Sequence, residues 1–364
     1  MSIWTNWDPL EEVIVGDCYS PGEFDWAVDS EITESFNLIL KETKEDLDNL
    51  AGLLQSFGVI VHRPSVKKFN HTIDLCGMQV KNPVSPMVPR DQFLVYGNTI
   101  YQSYTSFPDR YFESLSYYEI FKTLYDQGHN WISMPPPNGL TMETTQQYSY
   151  IERGQELYQE LKNQLLWHTA TMFKCGDAII YNHKGPGTAA GLTWFEKNTP
   201  DTRFIKNENT YQAGWGHIDH GFFMTDDETV FCKDLRYVPE CLRNKRVFEV
   251  GPVKEDQVFA MLENKWQEYN KNFGKFSMEG IERWLNQWKG YSQQVHFDTN
   301  VLVIDSRNVV FASDVPKKLF ELLDQQGITA HVCKQRHYFF WDGGVHCFTL
   351  DVKRKGSRRR IVGN

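Results

Sequence analysis

Phe93-Leu94-Val95-Tyr96-Gly97-Asn98-Thr99-Ile100-Tyr101 reads as two short strands joined by a Gly-Asn turn. Aromatic and β-branched residues fill both runs, and the central dipeptide suits the backbone angles of a tight hairpin. The pattern recurs. Phe222-Phe223-Met224 and Thr229-Val230-Phe231 flank Thr225-Asp226-Asp227-Glu228. Val301-Leu302-Val303-Ile304 and Val309-Val310-Phe311 flank Asp305-Ser306-Arg307-Asn308. Helix-like stretches separate these hairpins: Tyr111 to Gln127, Glu152 to Trp167, Lys254 to Tyr269, Met278 to Trp288 and Val315 to Gln326. Ahead of them, Glu11 to Gly16 reads as a first strand and Phe36 to Phe57 as a helix with leucines at helical spacing. Gly58 stops that helix, and Val59-Ile60-Val61 reads as a strand. Each unit is thus a hairpin, a helix and a short strand, and such repeats predict modules set around a shared centre. No Gly-, Ser- or Pro-rich linker divides the chain. One α/β domain is expected over residues 1–352, with 353–364 as a basic tail.

The 364 residues are 41% hydrophobic and 14% aromatic, enough for a substantial core. A formal charge of −9 argues against bulk nucleic-acid binding. The cluster Lys353, Arg354, Lys355, Arg358, Arg359 and Arg360 reads as a solvated end rather than a contact for RNA or an anionic partner. Seven cysteines, at 18, 76, 175, 232, 241, 333 and 347, are odd in number and form no C-x-x-C pair. A disulfide framework and a structural zinc site are therefore not expected, and a reducing cytoplasm fits. No signal peptide is visible, and no apolar run reaches the ~20 residues needed to span a bilayer.

Cys347 ends the string Gly343-Gly344-Val345-His346-Cys347, and Phe348-Thr349-Leu350-Asp351-Val352 then reads as a strand. The glycines permit close backbone approach, and a thiol so placed suits a nucleophile, although free cysteines also simply pack in cores. His217 and Asp219, in Gly214-Trp215-Gly216-His217-Ile218-Asp219-His220-Gly221, lie two apart. On a strand that spacing aims both into one space; a satisfied polar pair at a strand start has the same spacing. A metal set of His217, Asp219 and His220 is disfavoured. His220 would face away on a regular strand, and no soft-ligand cluster accompanies it. No metal or other cofactor is expected. Asp91, in Val88-Pro89-Arg90-Asp91, stands before the first hairpin much as Asp219 stands before its own. If rotation relates the modules, both carboxylates reach the centre. Two carboxylates, an imidazole and a thiol suit a guanidinium. The carboxylates hold the planar cation through paired hydrogen bonds, and the cation in turn lowers the thiol pKa. The thiolate attacks the central carbon while the imidazole moves protons at the leaving amine.

The stretches Trp7 to Gly16, Pro89-Arg90-Asp91, Arg110 to Glu113, His217-Ile218-Asp219, Asn300-Val301-Leu302 and Gly343 to Thr349 carry a resemblance that runs nearly end to end. The chain resembles the arginine:glycine amidinotransferase family, within the guanidine-modifying superfamily of five-bladed α/β propellers. The resemblance implies a pseudo-symmetric pentein fold of ββαβ-type modules. It also implies Cys347 as nucleophile, His217 as general acid and base, Asp91 and Asp219 as the guanidinium clamp, and Arg236 as the binder of the donor α-carboxylate. The implied reaction moves the amidino group of L-arginine through S-amidino-cysteine to an amine and releases ornithine. Glycine is the default acceptor, with lysine, ornithine or a larger natural-product amine also open. Hydrolysis of arginine on the same fold, or guanidine binding with little turnover, are the alternatives. Expected partners are arginine and a small amine; the assembly is open to a homodimer.

Two positions depart from the family pattern. His168, in His168-Thr169-Ala170-Thr171-Met172-Phe173-Lys174-Cys175-Gly176, stands where the resemblance places a carboxylate that hydrogen-bonds the catalytic histidine. A neutral imidazole can orient His217 but cannot stabilise an imidazolium by charge. Loss of such a carboxylate costs about 10⁴ in a serine protease triad. Gly214 and Gly216 stand where the family often has larger gating residues, which implies a wider pocket mouth.

Overall fold

The structure, a computed structural model, describes residues 2–23, 30–67, 73–75, 78–80, 85–105, 110–137, 161, 163–183, 187–209, 216–251, 299–313, 315–341 and 343–363. The helices expected at 254–269 and 278–288, most of that at 152–167, and Gly214 lie outside these residues.

Among the described residues, one three-stranded topology occurs five times. An antiparallel hairpin is followed by a crossover and a third strand parallel to the hairpin's second strand. Three hairpins are those expected: Phe93–Tyr96 with Thr99–Gln102, Phe222–Asp226 with Thr229–Cys232, and Leu302–Asp305 with Asn308–Phe311. Their third strands are Asn130–Ser133, Arg246–Glu249 and Thr329–Val332. A fourth hairpin pairs Met172–Cys175 with Ala178–Tyr181, and Arg203–Lys206 completes its sheet. The fifth sheet joins the chain ends. Leu10–Val15 runs antiparallel to Thr349–Arg354 and parallel to Ile60–His62. Strands from both termini therefore close the ring, and the pairing of Val15 with Thr349 fixes Cys347 two residues before that closure.

Parallel strands need a crossover, and four modules use a helix for it. Ser30–Ser56 buries Phe36, Leu40, Leu47, Leu50 and Leu54. Ser114–Asp126 buries Tyr117, Phe121 and Leu124, and Lys317–Gln325 buries Leu319 and Leu323, all at helical spacing. Ala189–Asn198 starts at Thr188, whose hydroxyl accepts the Gly191 N–H at 3.0 Å. Burial is graded across each sheet. Phe93–Tyr96, Met172–Cys175 and Ala178–Tyr181 are buried on both faces, whereas Ile60–His62, Asn130–Ser133 and Arg203–Lys206 have no buried residue. The hairpins form the wall around the centre, and the third strands lie outward. No helix among the described residues is long and apolar enough to cross a membrane.

The expectation of a solvated basic tail is corrected. Arg354 ends the closing strand, is 2% exposed, and donates to Asp351 Oδ2 at 2.8 Å and to the Asp8 carbonyl at 2.6 Å. Arg359 donates to Asp8 Oδ1 at 2.8 Å and Asp227 Oδ2 at 2.7 Å. Arg360 bridges to Gly176, and Ile361 and Val362 are buried. Arg354 and Arg359 meet matched acids, and the two aliphatic side chains anchor the segment in the core. It clamps the ring rather than leaving it.

Candidate active site

Three hairpins are preceded by a single turn of 3-10 helix: Pro89–Asp91, Thr169–Thr171 and Ile218–His220. His168 and His217 each cap their turn in extended backbone, so the two histidines hold the same place in successive modules. Pseudo-symmetry brings them together. His168 Nδ1 lies 3.1 Å from His217 Nε2, and the rings stack with centroids 5.1 Å apart. Thr169 stitches the adjoining module by donating to the Arg90 carbonyl at 2.6 Å.

The turn corrects two expectations. His217 and Asp219 do not share a strand face, because the strand begins only at Phe222. His220 does not point away. His217, Asp219, His220 and Cys347, all buried, offer side-chain donor atoms that lie within 4.8 Å of one another. Asp91, His168 and His217 form a second such group, so His217 belongs to both.

Cys347 is held by Asn300, a residue that spacing alone does not mark as part of the site. Asn300 Nδ2 donates to Cys347 Sγ at 2.8 Å and to Asp219 Oδ2 at 3.1 Å. Its Oδ1 accepts the backbone N–H groups of His346 at 3.0 Å and Cys347 at 3.2 Å. Gly344 exists for this contact, since a Cβ there would stand 2.7 Å from Asn300 Oδ1. Asn300 directly precedes the third expected hairpin, the position that holds its neighbours' turns, and that placement was the available signal.

Both carboxylates already carry an arginine. Asp219 Oδ2 accepts from Arg90 Nη1 at 2.9 Å and faces His346 Nδ1 at 2.9 Å. Asp91 Oδ2 accepts from Arg110 Nη1 at 2.5 Å, and Arg110 Nε donates to Glu113 Oε1 at 2.6 Å. Gln92 completes this buried network by donating to Glu113 Oε2 at 3.0 Å. In both acids the second oxygen, Oδ1, is buried and has no hydrogen-bond partner among the described residues. Each aspartate is thus oriented through one oxygen and leaves the other uncommitted.

The charge states follow from burial and these neighbours. Burial alone would raise the Asp91 pKa, but Arg110, with His168 and His217, holds it at about 2. Asp219 is pulled well below the usual carboxylate range by Arg90 and His346 against the same burial. Burial pushes His168 and His217 down to about 4, and Asp91 only partly opposes this. Both imidazoles are neutral at neutral pH, so one donates and the other accepts across their contact. Burial, then Asp219 and Asp91, push the Cys347 thiol well up, with Arg90 and Asn300 opposing. A nucleophile so placed needs added positive charge to ionise.

Arg236 stands apart from this cluster. Its side chain is 52% exposed and folds onto Asp234, with Nη2 2.7 Å from Oδ2. Its turn, Leu235–Tyr237, nevertheless packs behind the Ile218–His220 turn, where a Cβ on Gly221 would meet Tyr237 Cβ at 2.6 Å.

No family model matches the chain. Full-length counterparts exist all the same. An amidinotransferase of the saxitoxin biosynthetic pathway from Microseira wollei superposes with a TM-score of 0.71 at 20% identity, covering 99% of both chains. The ring of five three-stranded modules is thereby the pentein fold. Inosamine-phosphate amidinotransferase 1 of Streptomyces griseus is 24% identical over 377 residues, 97% of each chain. The mitochondrial glycine amidinotransferase of Gallus gallus is 25% identical over 97% of this chain and 83% of its own. The chain is thus similar along nearly its whole length to amidinotransferases.

Proposed function

We propose that the protein moves the amidino group of L-arginine to an amine through a covalent intermediate on Cys347. The observation that carries this reading is the convergence of Cys347, His217, Asp91 and Asp219, with one uncommitted oxygen on each aspartate. A guanidinium set between the two Oδ1 atoms gains charge-assisted hydrogen bonds from both sides. Arg90 and Arg110 hold the aspartates in place and are not displaced. The incoming cation supplies the positive charge that the buried thiol lacks, so the nucleophile ionises when its substrate is present.

In the first half-reaction the Cys347 proton passes to neutral His217, and the sulfur bonds to the guanidinium carbon. The tetrahedral adduct collapses by breaking the bond to the side-chain nitrogen. His217 returns its proton to that nitrogen, ornithine departs, and S-amidino-Cys347 remains. In the second half an amine attacks the same carbon, His217 takes the amine proton, and sulfur leaves as the thiol. Asp91, 3.9 Å from His168 Nδ1, supplies through space the negative charge that His168 lacks. Arg236 turns from Asp234 toward the α-carboxylate of the donor.

Glycine is the acceptor by resemblance, while the inosamine-phosphate relative and the small Gly216 beside His217 keep a larger amine open. The test uses arginine labelled at the amidino carbon and a panel of amines. Label transfer to one amine with equimolar ornithine supports the reading. Citrulline and ammonia formed without any amine would replace it with hydrolysis.

A further inference from the structure

His217, Asp219, His220 and Cys347 make up two imidazoles, a carboxylate and a thiol, and their donor atoms are mutually within 4.8 Å in a fully buried cluster. The proposed transfer employs three of them and leaves His220 without a task. His220 Nε2 lies 3.9 Å from Asp219 Oδ1, the oxygen with no hydrogen-bond partner among the described residues. Cys347 Sγ lies 3.9 Å from the other oxygen of Asp219, and the rings of His217 and His220 are 5.3 Å apart.

A tetrahedral zinc ion holds nitrogen and sulfur ligands at about 2.0–2.3 Å, which sets its donors roughly 3.3–3.8 Å from one another. The four residues reach that shape by contracting by about 1.5 Å at most. A thiolate with two imidazoles selects zinc or cobalt and rejects calcium and magnesium. The charges also balance, since a thiolate and a carboxylate neutralise a divalent ion. Arg90 keeps its hold on Asp219 Oδ2, so the ion takes Oδ1. That nearby guanidinium weakens affinity and makes binding reversible.

We propose that these four residues form a zinc-binding site that shuts the enzyme off. The ion bonds to Cys347 Sγ, and the thiol proton is released to solvent. Neither cysteine nor metal changes oxidation state. Binding occupies the nucleophile, the base and one oxygen of the guanidinium clamp, so the ion competes with the guanidinium donor. Binding itself stands independently of the amidino-transfer reading; only the inhibitory consequence rests on it.

The experiment begins with chelator-treated full-length protein titrated with cobalt(II). One equivalent should produce a thiolate-to-cobalt charge-transfer band with the intense visible bands of a four-coordinate site. Zinc should bleach both, and a chelator should remove the zinc. Zinc should also slow iodoacetamide alkylation of Cys347, a readout that needs no turnover. Cys347→Ser should abolish the charge-transfer band, and His220→Asn should weaken zinc binding at least ~10-fold. In the transfer assay zinc should raise the apparent KM for the donor. Failure of wild-type protein to give a charge-transfer band, or a band that persists in Cys347→Ser, would overturn the site. A site that binds zinc in a protein without transfer activity would overturn the amidino-transfer reading alone.

Discussion

His168 Nδ1 stands 3.1 Å from His217 Nε2, and the same nitrogen lies 3.9 Å from Asp91 Oδ1. An imidazole therefore orients the His217 ring, and the Asp91 carboxylate lies close to both rings. His168→Ala should lower kcat by about 10–100-fold with little change in KM for the donor, because it frees the His217 ring without touching the guanidinium clamp. His168→Asn, which keeps a neutral hydrogen-bonding group, should recover much of that loss. Steady-state kinetics of the two variants check this.

The pH profile separates orientation from charge. His217 is held at about 4, so it stays a competent base well into the acid range. A carboxylate beside it favours the imidazolium. His168→Asp should shift the acid limb of kcat/KM upward by a unit or more, roughly the size of a close charge's effect. It also sets a second carboxylate near Asp91, and kcat should fall rather than rise. An unmoved acid limb would show that His217 does not govern it.

Stability should follow the same histidines. His168 and His217 have folded pKa values of about 4, below the ordinary 6.5. The unfolded chain therefore binds more protons between these values, and stability rises with pH there. The contribution is fully present above 6.5 and is lost as the pH falls to about 4. Each ring accounts for something on the order of 3 kcal/mol. Urea unfolding at pH 7 and pH 4.5 measures the loss, and His168→Asn should flatten the slope.

Asn300 links thiol, carboxylate and backbone in one side chain. Asn300→Ala should slow turnover by about 10²–10³, the range seen when one preorganised donor is removed. Asn300→Asp adds negative charge beside Cys347 and should move iodoacetamide alkylation of that thiol to higher pH. Alkylation rates across pH 7 to 10 give the answer without a substrate.

The C-terminal clamp makes a structural prediction. Deleting residues 357–363 removes the Arg359 pairs with Asp8 and Asp227 and the buried Ile361 and Val362. A loss of a few kcal/mol, and several degrees in Tm, is expected from calorimetry.

Three of the five hairpins were legible because their strands are buried on both faces and read as continuous apolar runs. The hairpin of Met172–Cys175 and Ala178–Tyr181 escaped because Lys174 interrupts its first strand. That lysine is itself buried, 3.5 Å from Asp351, a pairing made 177 residues away. The site was legible as residue types and less so as geometry. A period-two rule placed His217 with Asp219, while the backbone forms a 3-10 turn that also turns His220 inward. Arg90 on Asp219 and Asn300 on the thiol are contacts between modules, and Arg110 reaches Asp91 from beyond the hairpin, none of which local spacing reveals. The tail was misread because its partners Asp8 and Asp227 lie far along the chain.

The central claim is that Cys347 carries the amidino group. Incubating the protein with arginine alone, quenching in acid and recording the intact mass tests it most directly. The account predicts a gain of one amidino group, mapped by peptide digestion to Cys347, with ornithine released in equal amount and no adduct in Cys347→Ser. Absence of any adduct and of ornithine after long incubation, or an adduct mapped to another residue, would contradict it.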